Sequence, residues 1–209
     1  MAAPPPIATL GGPAIAAPGT SELGLGMGAG MSLFDRAHAG GTGWTGRYRH
    51  GLSDALDLGV DVIGVQHADK GTLGGKLALR WAVAPRLRLE LGAGAADDSE
   101  GKSVNYDLGI VTGTRNPGAP WNYYGALRIA GAHGFPGDVC CGAGATGTSA
   151  PPNSFLAIAT LGTEARVSEN ARFIFEGGAG PLWVHGRDEV GKAFYLGVGL
   201  LLNVGAQRP

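Results

Sequence analysis

The chain has 209 residues, of which 39 are glycine and 44% are apolar, and its formal charge is −1. This length suits one domain or one all-β barrel, and the apolar content excludes a disordered tract, which lacks the surface to offset the entropy of ordering. The balanced charge lacks the basic footprint of a nucleic-acid binder, and no run of 18 apolar residues offers an ordinary transmembrane helix.

Residues 1–20, MAAPPPIATLGGPAIAAPGT, are uncharged and rich in Pro, Ala and Gly. They read as a flexible leader ahead of a domain over 21–209. The leader has no basic start, and prolines interrupt any apolar core, so it does not read as a signal peptide; an exported chain would have lost its signal before this Met1. From Ser21 the pattern changes. Leu23, Leu25, Met27, Ala29, Met31 and Leu33 alternate with Gly24, Gly26, Gly28, Gly30 and Ser32, a period of two that belongs to a strand.

The alternation then recurs along the chain. Trp44, Gly46 and Tyr48 face away from Thr45, Arg47 and Arg49; Leu56, Leu58, Val60 and Val62 oppose Asp57, Gly59 and Asp61. Leu73, Leu77, Leu79, Trp81 and Val83 oppose Lys76, Ala78 and Arg80, and Leu87, Leu89, Leu91 and Ala93 oppose Arg88, Glu90 and Gly92. Val104, Tyr106, Leu108 and Ile110 oppose Asn105, Asp107 and Gly109, and Trp121, Tyr123, Leu127 and Ile129 oppose Asn122, Tyr124 and Arg128. Residues 154–165 are apolar on both faces. In the last two segments Phe173, Phe175 and Ala179 oppose Arg172, Ile174 and Glu176, and Phe194, Leu196, Val198, Leu200, Leu202 and Val204 oppose Tyr195, Gly197, Gly199, Leu201 and Asn203. About ten strands result, each long enough for a tilted crossing of a bilayer, which takes roughly 9 to 11 residues.

Connections alternate as well. Short turns at 51–55, 84–86, 114–120 and 167–171 carry the Asp, Asn, Pro and Ser that turns use. Longer polar loops are expected at 35–43, 67–72, 96–102, 133–153 and 184–191. The fold class predicted is therefore a closed antiparallel transmembrane β-barrel with short turns on one rim and long loops on the other.

A soluble sandwich also alternates, but its second face is wetted and rich in Lys, Glu and Thr, whereas here that face is glycine with single charges. Glycine on a wetted face only weakens a strand; inside a narrow barrel it makes room for long side chains from the opposite wall. Those side chains are present with both signs: Arg47, Arg49, Lys76, Arg80, Arg88, Arg128 and Arg172 against Asp57, Asp61, Glu90, Asp107, Glu164 and Glu176. In a low-dielectric tube they must pair, so we expect a lumenal ion-pair network. The glycine-lined first strand also leaves free volume, into which residues 1–20 could fold as a plug. A soluble lipocalin-like barrel is the structural alternative, with the faces inverted. Trp81, Trp121 and Tyr48 are expected at one membrane interface and Trp44, Phe155, Trp183 and Phe194 at the other.

Chemical motifs are weak. Gly24-x-Gly26-x-x-Ala29 and Gly142-x-Gly144-x-x-Gly147 imitate dinucleotide fingerprints, but the first lies within a strand and the second in a proline-bounded loop, with no helix to meet a pyrophosphate. His38, His67, His133 and His185 fall near the long loops. Only His67 follows the lumenal phase, so His67 with Asp69 is the candidate pair for a rim hydrolase, although no metal spacing or serine elbow accompanies them. Nothing in the pattern calls for a metal or cofactor. The cysteines, Cys140 and Cys141, sit in the longest loop, 133–153, where a vicinal disulfide or free thiols would suit a binding tip.

With these features the chain resembles the small outer-membrane β-barrel proteins of Gram-negative bacteria over residues 21–204. In its closing segment YLGVGLLLNV, Tyr195, Gly197, Leu200 and Leu202 resemble that family's assembly signal, although the chain continues to NVGAQRP where the family closes on an aromatic residue. The resemblance implies residence in the outer membrane, and the inward charged side chains imply a filled lumen, so that the barrel would act as a structural scaffold. That scaffold would contact the lipid bilayer and present loop 133–153 to a surface ligand or envelope partners. A rim-active, protease-like hydrolase and a narrow charge-lined channel are the alternatives.

Overall fold

A strand with glycine at every second position has one thin face and one thick face, and β1 (Ser21–Phe34) turns the thin one inward. The computed structural model describes residues 11–12, 14–34, 37–67, 70–98, 101–114, 116, 118–136 and 153–205. The wall continues through β2 (Ala37–Ser53), β3 (Leu56–His67), β4 (Lys70–Ala84), β5 (Leu87–Asp98) and β6 (Gly101–Gly113). It is completed by β7 (Trp121–Pro136), β8 (Ser154–Arg166), β9 (Ala171–Val184) and β10 (Gly191–Val204). Each strand pairs antiparallel with its sequence neighbours, and β1 pairs with β10 to close the barrel.

Period two then sorts the side chains. The outward set is apolar and uncovered: Leu25 is 68% exposed, Leu161 76% and Leu196 72%. The inward set holds the buried charges, among them Arg49, Asp57, Arg80 and Arg88. A lipocalin-like barrel would show the reverse. An apolar surface around the whole circumference far exceeds the few hundred Å² that a soluble monomer exposes, so the outer face meets lipid.

The strands exceed what a bilayer crossing needs, running from 12 residues in β3 to 17 in β2. They extend into the spans 35–43, 67–72 and 96–102, where polar and glycine-rich composition had suggested loops. Backbone pairing continues there, as in Met31↔Gly40, Val65↔Thr72 and Ala96↔Ser103, because a ladder needs no apolar face once it has left the membrane. Trp44 is likewise displaced from the expected interface. It lies four residues from Tyr48 on β2, inside the apolar band, with its indole over Gly64, where a Cβ would stand 2.4 Å from Nε1.

Candidate functional site

The lumen is built by register. Arg49 pairs with Gly59, Lys76 with Gly94, Asp107 with Gly92, Arg128 with Gly109, Tyr124 with Gly162 and Tyr195 with Gly178. In each pair the long side chain lies over the glycine of the adjoining strand. A Cβ on Gly59 would fall 1.9 Å from the Tyr48 carbonyl oxygen and 2.6 Å from Arg49 Cδ; one on Gly162 would fall 2.2 Å from Tyr124 Cζ. The glycines therefore make room for the next strand's side chains, not for those of the opposite wall as expected. The reason is geometric: directly paired residues have Cβ positions only about 4.5–5.5 Å apart.

The inward charges fall into two groups of ion pairs. In the first, Asp61 is met by Arg47 Nε at 3.1 Å, Arg49 Nη1 at 2.6 Å and Lys76 Nζ at 3.6 Å. Lys76 continues to Asp107 at 2.5 Å, Asp107 to Arg128 at 3.7 Å, Arg128 to Glu90, and Glu90 to Arg88 at 3.4 Å. In the second, Arg80 holds Asp57 at 2.6 Å and Glu22 at 3.4 Å, and Arg172 holds Glu22 at 2.7 Å and Glu164 at 3.2 Å. Glu176 accepts from the Tyr124 hydroxyl at 2.8 Å and the Tyr195 hydroxyl at 3.3 Å. Buried charges persist only with such partners, since an unpaired one costs several kcal/mol.

Glu22 is the member that sequence reading missed. It sits two residues before Gly24 on the same face of β1, so its phase was readable. Tyr124, which the sequence already sets on the inner face with Arg128, and Thr160 are also inward and buried; the pattern gives their phase but not their hydrogen-bond partners.

The described part of the leader lies against this machinery. The Gly12 N–H donates to Glu164, the Gly11 N–H to the Tyr124 hydroxyl at 3.4 Å, and the Ala16 N–H to Asp57 at 2.9 Å. In return Arg88 donates to the carbonyls of Gly12, of Ala14 at 2.9 Å and of Gly11 at 3.4 Å. Ile15 and Ala16 are buried. Gly11 adopts φ +124°, open to glycine, with its Cα face against Leu201 and Ile174. The segment leaves the lumen across Gly51, where a Cβ would stand 2.1 Å from the Ala17 carbonyl oxygen. It is pinned there by Gly19 N–H to Gly51 O and Gly51 N–H to Thr20 O, each 3.0 Å.

Two apolar clusters complete the filling. Val111, Tyr124, Ala126, Ile174 and Leu201 pack at the short-turn end, beneath Gly11. Leu156, Ile158, Leu182, Val184 and Ala193 pack at the other end with Phe34 and Tyr195. The two apolar faces of β8 seen in the sequence are thus one face to lipid and one to this upper cluster.

The remaining candidates are not assembled by the described residues. His67 ends β3, but its side chain and all of Asp69 lie outside the description. Cys140, Cys141 and residues 137–152 of the longest connection also lie outside it. The ends of that connection are held at the rim by Gly134 N–H to Asn153 Oδ1 at 3.1 Å and His185 N–H to Asn153 O at 2.8 Å. His133 packs edge-on to Phe135. His50, on the opposite rim, meets Ser21 Oγ at 3.1 Å through Nδ1.

No protein-family model matches the chain, and no curated protein matches it. Solved structures do. The outer membrane protease OmpT from Escherichia coli is 11% identical, with a TM-score of 0.48 over 90% of this chain and 98% of that one. The translocator domain of the autotransporter NalP from Neisseria meningitidis is 10% identical, with a TM-score of 0.47 over 88% of each chain. The outer membrane protein OprG from Pseudomonas aeruginosa is 13% identical, with a TM-score of 0.41 over 91% and 99%. At these identities the likeness is one of architecture.

Proposed function

We propose that this chain is a non-conducting outer-membrane barrel of a Gram-negative envelope, a scaffold that presents its long-loop rim to a surface ligand or to envelope proteins. The reading rests chiefly on one observation: residues 11–12 and 14–16 are held across the short-turn end of the lumen by Glu164, Tyr124, Asp57 and Arg88. Above them, the ion pairs and the upper apolar cluster take up cross-section that a diffusion pore would leave open. Length and irregularity on a rigid wall make 133–153 the natural recognition element.

Conductance tests this reading. The full chain in a planar bilayer is expected to stay closed, and a chain lacking residues 2–18 is expected to show discrete openings or a loss of thermal stability. Equal steady conductance from both would overturn the closed-lumen reading in favour of a narrow charge-lined channel.

A further inference from the structure

The lumen supports the seam between β1 and β10 unevenly. At mid-height the inner face sets Gly26 against Gly199 and Gly28 against Gly197, which leaves side-chain support to the two ends. At the short-turn end Leu201 of β10 lies over Gly24 of β1, where a Cβ would stand 2.8 Å from Leu201 Cδ2. Arg172 of β9 reaches past β10 to Glu22 of β1 at 2.7 Å and donates to Asn203 of β10 at 3.4 Å; Glu22 and Asn203 are register partners. Gly205, at φ +127°, turns the end of β10 against the start of β1, and a Cβ there would stand 3.3 Å from Thr20 Cα.

Each of these contacts leans on the leader. Thr20 is its last residue, and Gly11 lies on Leu201, with its Cβ position 3.4 Å from Cδ1. Glu22 also meets Arg80 at 3.4 Å, Arg80 holds Asp57 at 2.6 Å, and Asp57 accepts from the Ala16 N–H at 2.9 Å. In the other direction Arg172 holds Glu164 at 3.2 Å, and Glu164 accepts from the Gly12 N–H. The two arms meet in the leader, so the bonds close a ring: Glu22, Arg80, Asp57, residues 16 and 12, Glu164, Arg172 and Glu22 again. Glu22, Asp57, Arg80 and Glu164 are buried. A buried charged group that loses one partner must find another or stand unpaired, so a break at one point of the ring is felt at the next.

We infer that the leader is a latch on the β1/β10 seam, with Gly51 as its catch. While residues 11–12 and 14–16 are seated, the short-turn half of the seam is held shut; their withdrawal loosens this seam ahead of the other nine. Gly51 serves as the catch because the leader crosses it so closely that a Cβ would stand 2.1 Å from the Ala17 carbonyl oxygen, and any larger residue displaces the crossing. The wall thereby has one side opening, between its first and last strands, under the control of the segment that precedes them. The coupling is reciprocal, as coupling between two sites must be: a loosened seam also weakens the leader's seat. It is separate from the closed-lumen reading, since a barrel can conduct with its seam intact.

The test is amide hydrogen exchange on the full chain in detergent, comparing the unaltered protein with Gly51→Val. In the variant the Gly12 and Ala16 amides are expected to exchange faster. Amides bonded across the seam between Ser21 and Gly28 are expected to exchange at least about tenfold faster, with the β5/β6 ladder within about twofold of its former rate. Faster leader amides beside an unchanged seam overturn the latch. Equal acceleration of the seam and of β5/β6 overturns it too, and leader amides that keep their protection overturn Gly51 as the catch. Should Gly51→Val fail to fold, the unaltered chain decides. In rising denaturant its seam amides are expected to open together with Gly12 and Ala16, with one denaturant dependence and ahead of β5/β6; separate openings overturn the proposal. Conductance of Gly51→Val in a planar bilayer reports on the closed lumen independently.

Discussion

Leu196→Arg separates a lipid-facing wall from a water-facing one. Leu196 lies near the middle of β10, pairs with Ala29 and Gly177, and is 72% exposed. On a strand facing water, a substitution so exposed would change stability by no more than about 0.5 kcal/mol. At the mid-plane of a bilayer an outward arginine costs about 2–4 kcal/mol, roughly 30- to 900-fold in the folding equilibrium. Leu23 supplies the internal control. It faces the same way but sits at the short-turn end of β1, beside Tyr48 and Leu202, where an arginine reaches headgroups and costs about 0–1 kcal/mol. Both variants are to be unfolded reversibly by denaturant in lipid vesicles, with the folded fraction read from heat-modifiable gel migration. Equal costs at the two positions, or a cost below about 1 kcal/mol at Leu196, would refute the assignment of this face to the hydrocarbon.

Two further substitutions probe the interior. Gly59→Ala drives a methyl group against the Tyr48 carbonyl and Arg49 and should cost about 1–3 kcal/mol as overpacking. At Gly197 the nearest atoms to a new Cβ are 3.6 and 3.7 Å away, so Gly197→Ala should be neutral or stabilising by up to about 1 kcal/mol through the unfolded chain; a reversed order in denaturant titrations would contradict the register-built sockets. Tyr124→Phe removes the hydroxyl that donates to Glu176 and accepts from Gly11. It should cost about 1–3 kcal/mol and speed amide exchange at Gly11, and unchanged exchange there would mean that Tyr124 does not hold the leader.

The direction of the strand faces was legible wherever apolar and polar residues alternate, but not in β8, whose two faces are both apolar because one of them meets the upper cluster inside the barrel. Loop boundaries were less so: Gly40, Gly41 and Thr42 look like a loop by composition, yet they pair with Met31, Gly30 and Ala29, since ladder formation above the membrane places no demand on side chains. The charged inward residues could be picked out by phase, but their partners could not. That Arg49 and Arg47 share Asp61 while Arg80 takes Asp57 depends on which residues stand side by side across β2, β3 and β4, and a one-dimensional pattern does not contain this. The seat of residues 11–12 and 14–16 was hidden more deeply. On the leader's side it is made by backbone N–H and C=O groups that meet barrel side chains, and such groups every sequence has and no sequence advertises.

The seam between β1 and β10 has a kinetic meaning. Nine of the ten seams join consecutive strands and form as neighbours in the chain, whereas this one brings Ser21 to Val204 and bears the loop-closure entropy of the entire barrel. At its middle the inner face sets Gly26 against Gly199 and Gly28 against Gly197, so there no side chain on the lumenal face of either strand helps it form. The leader ends beside that seam, where Thr20 follows the segment crossing Gly51. The end of the leader and the meeting of the first and last strands therefore share one place on the barrel.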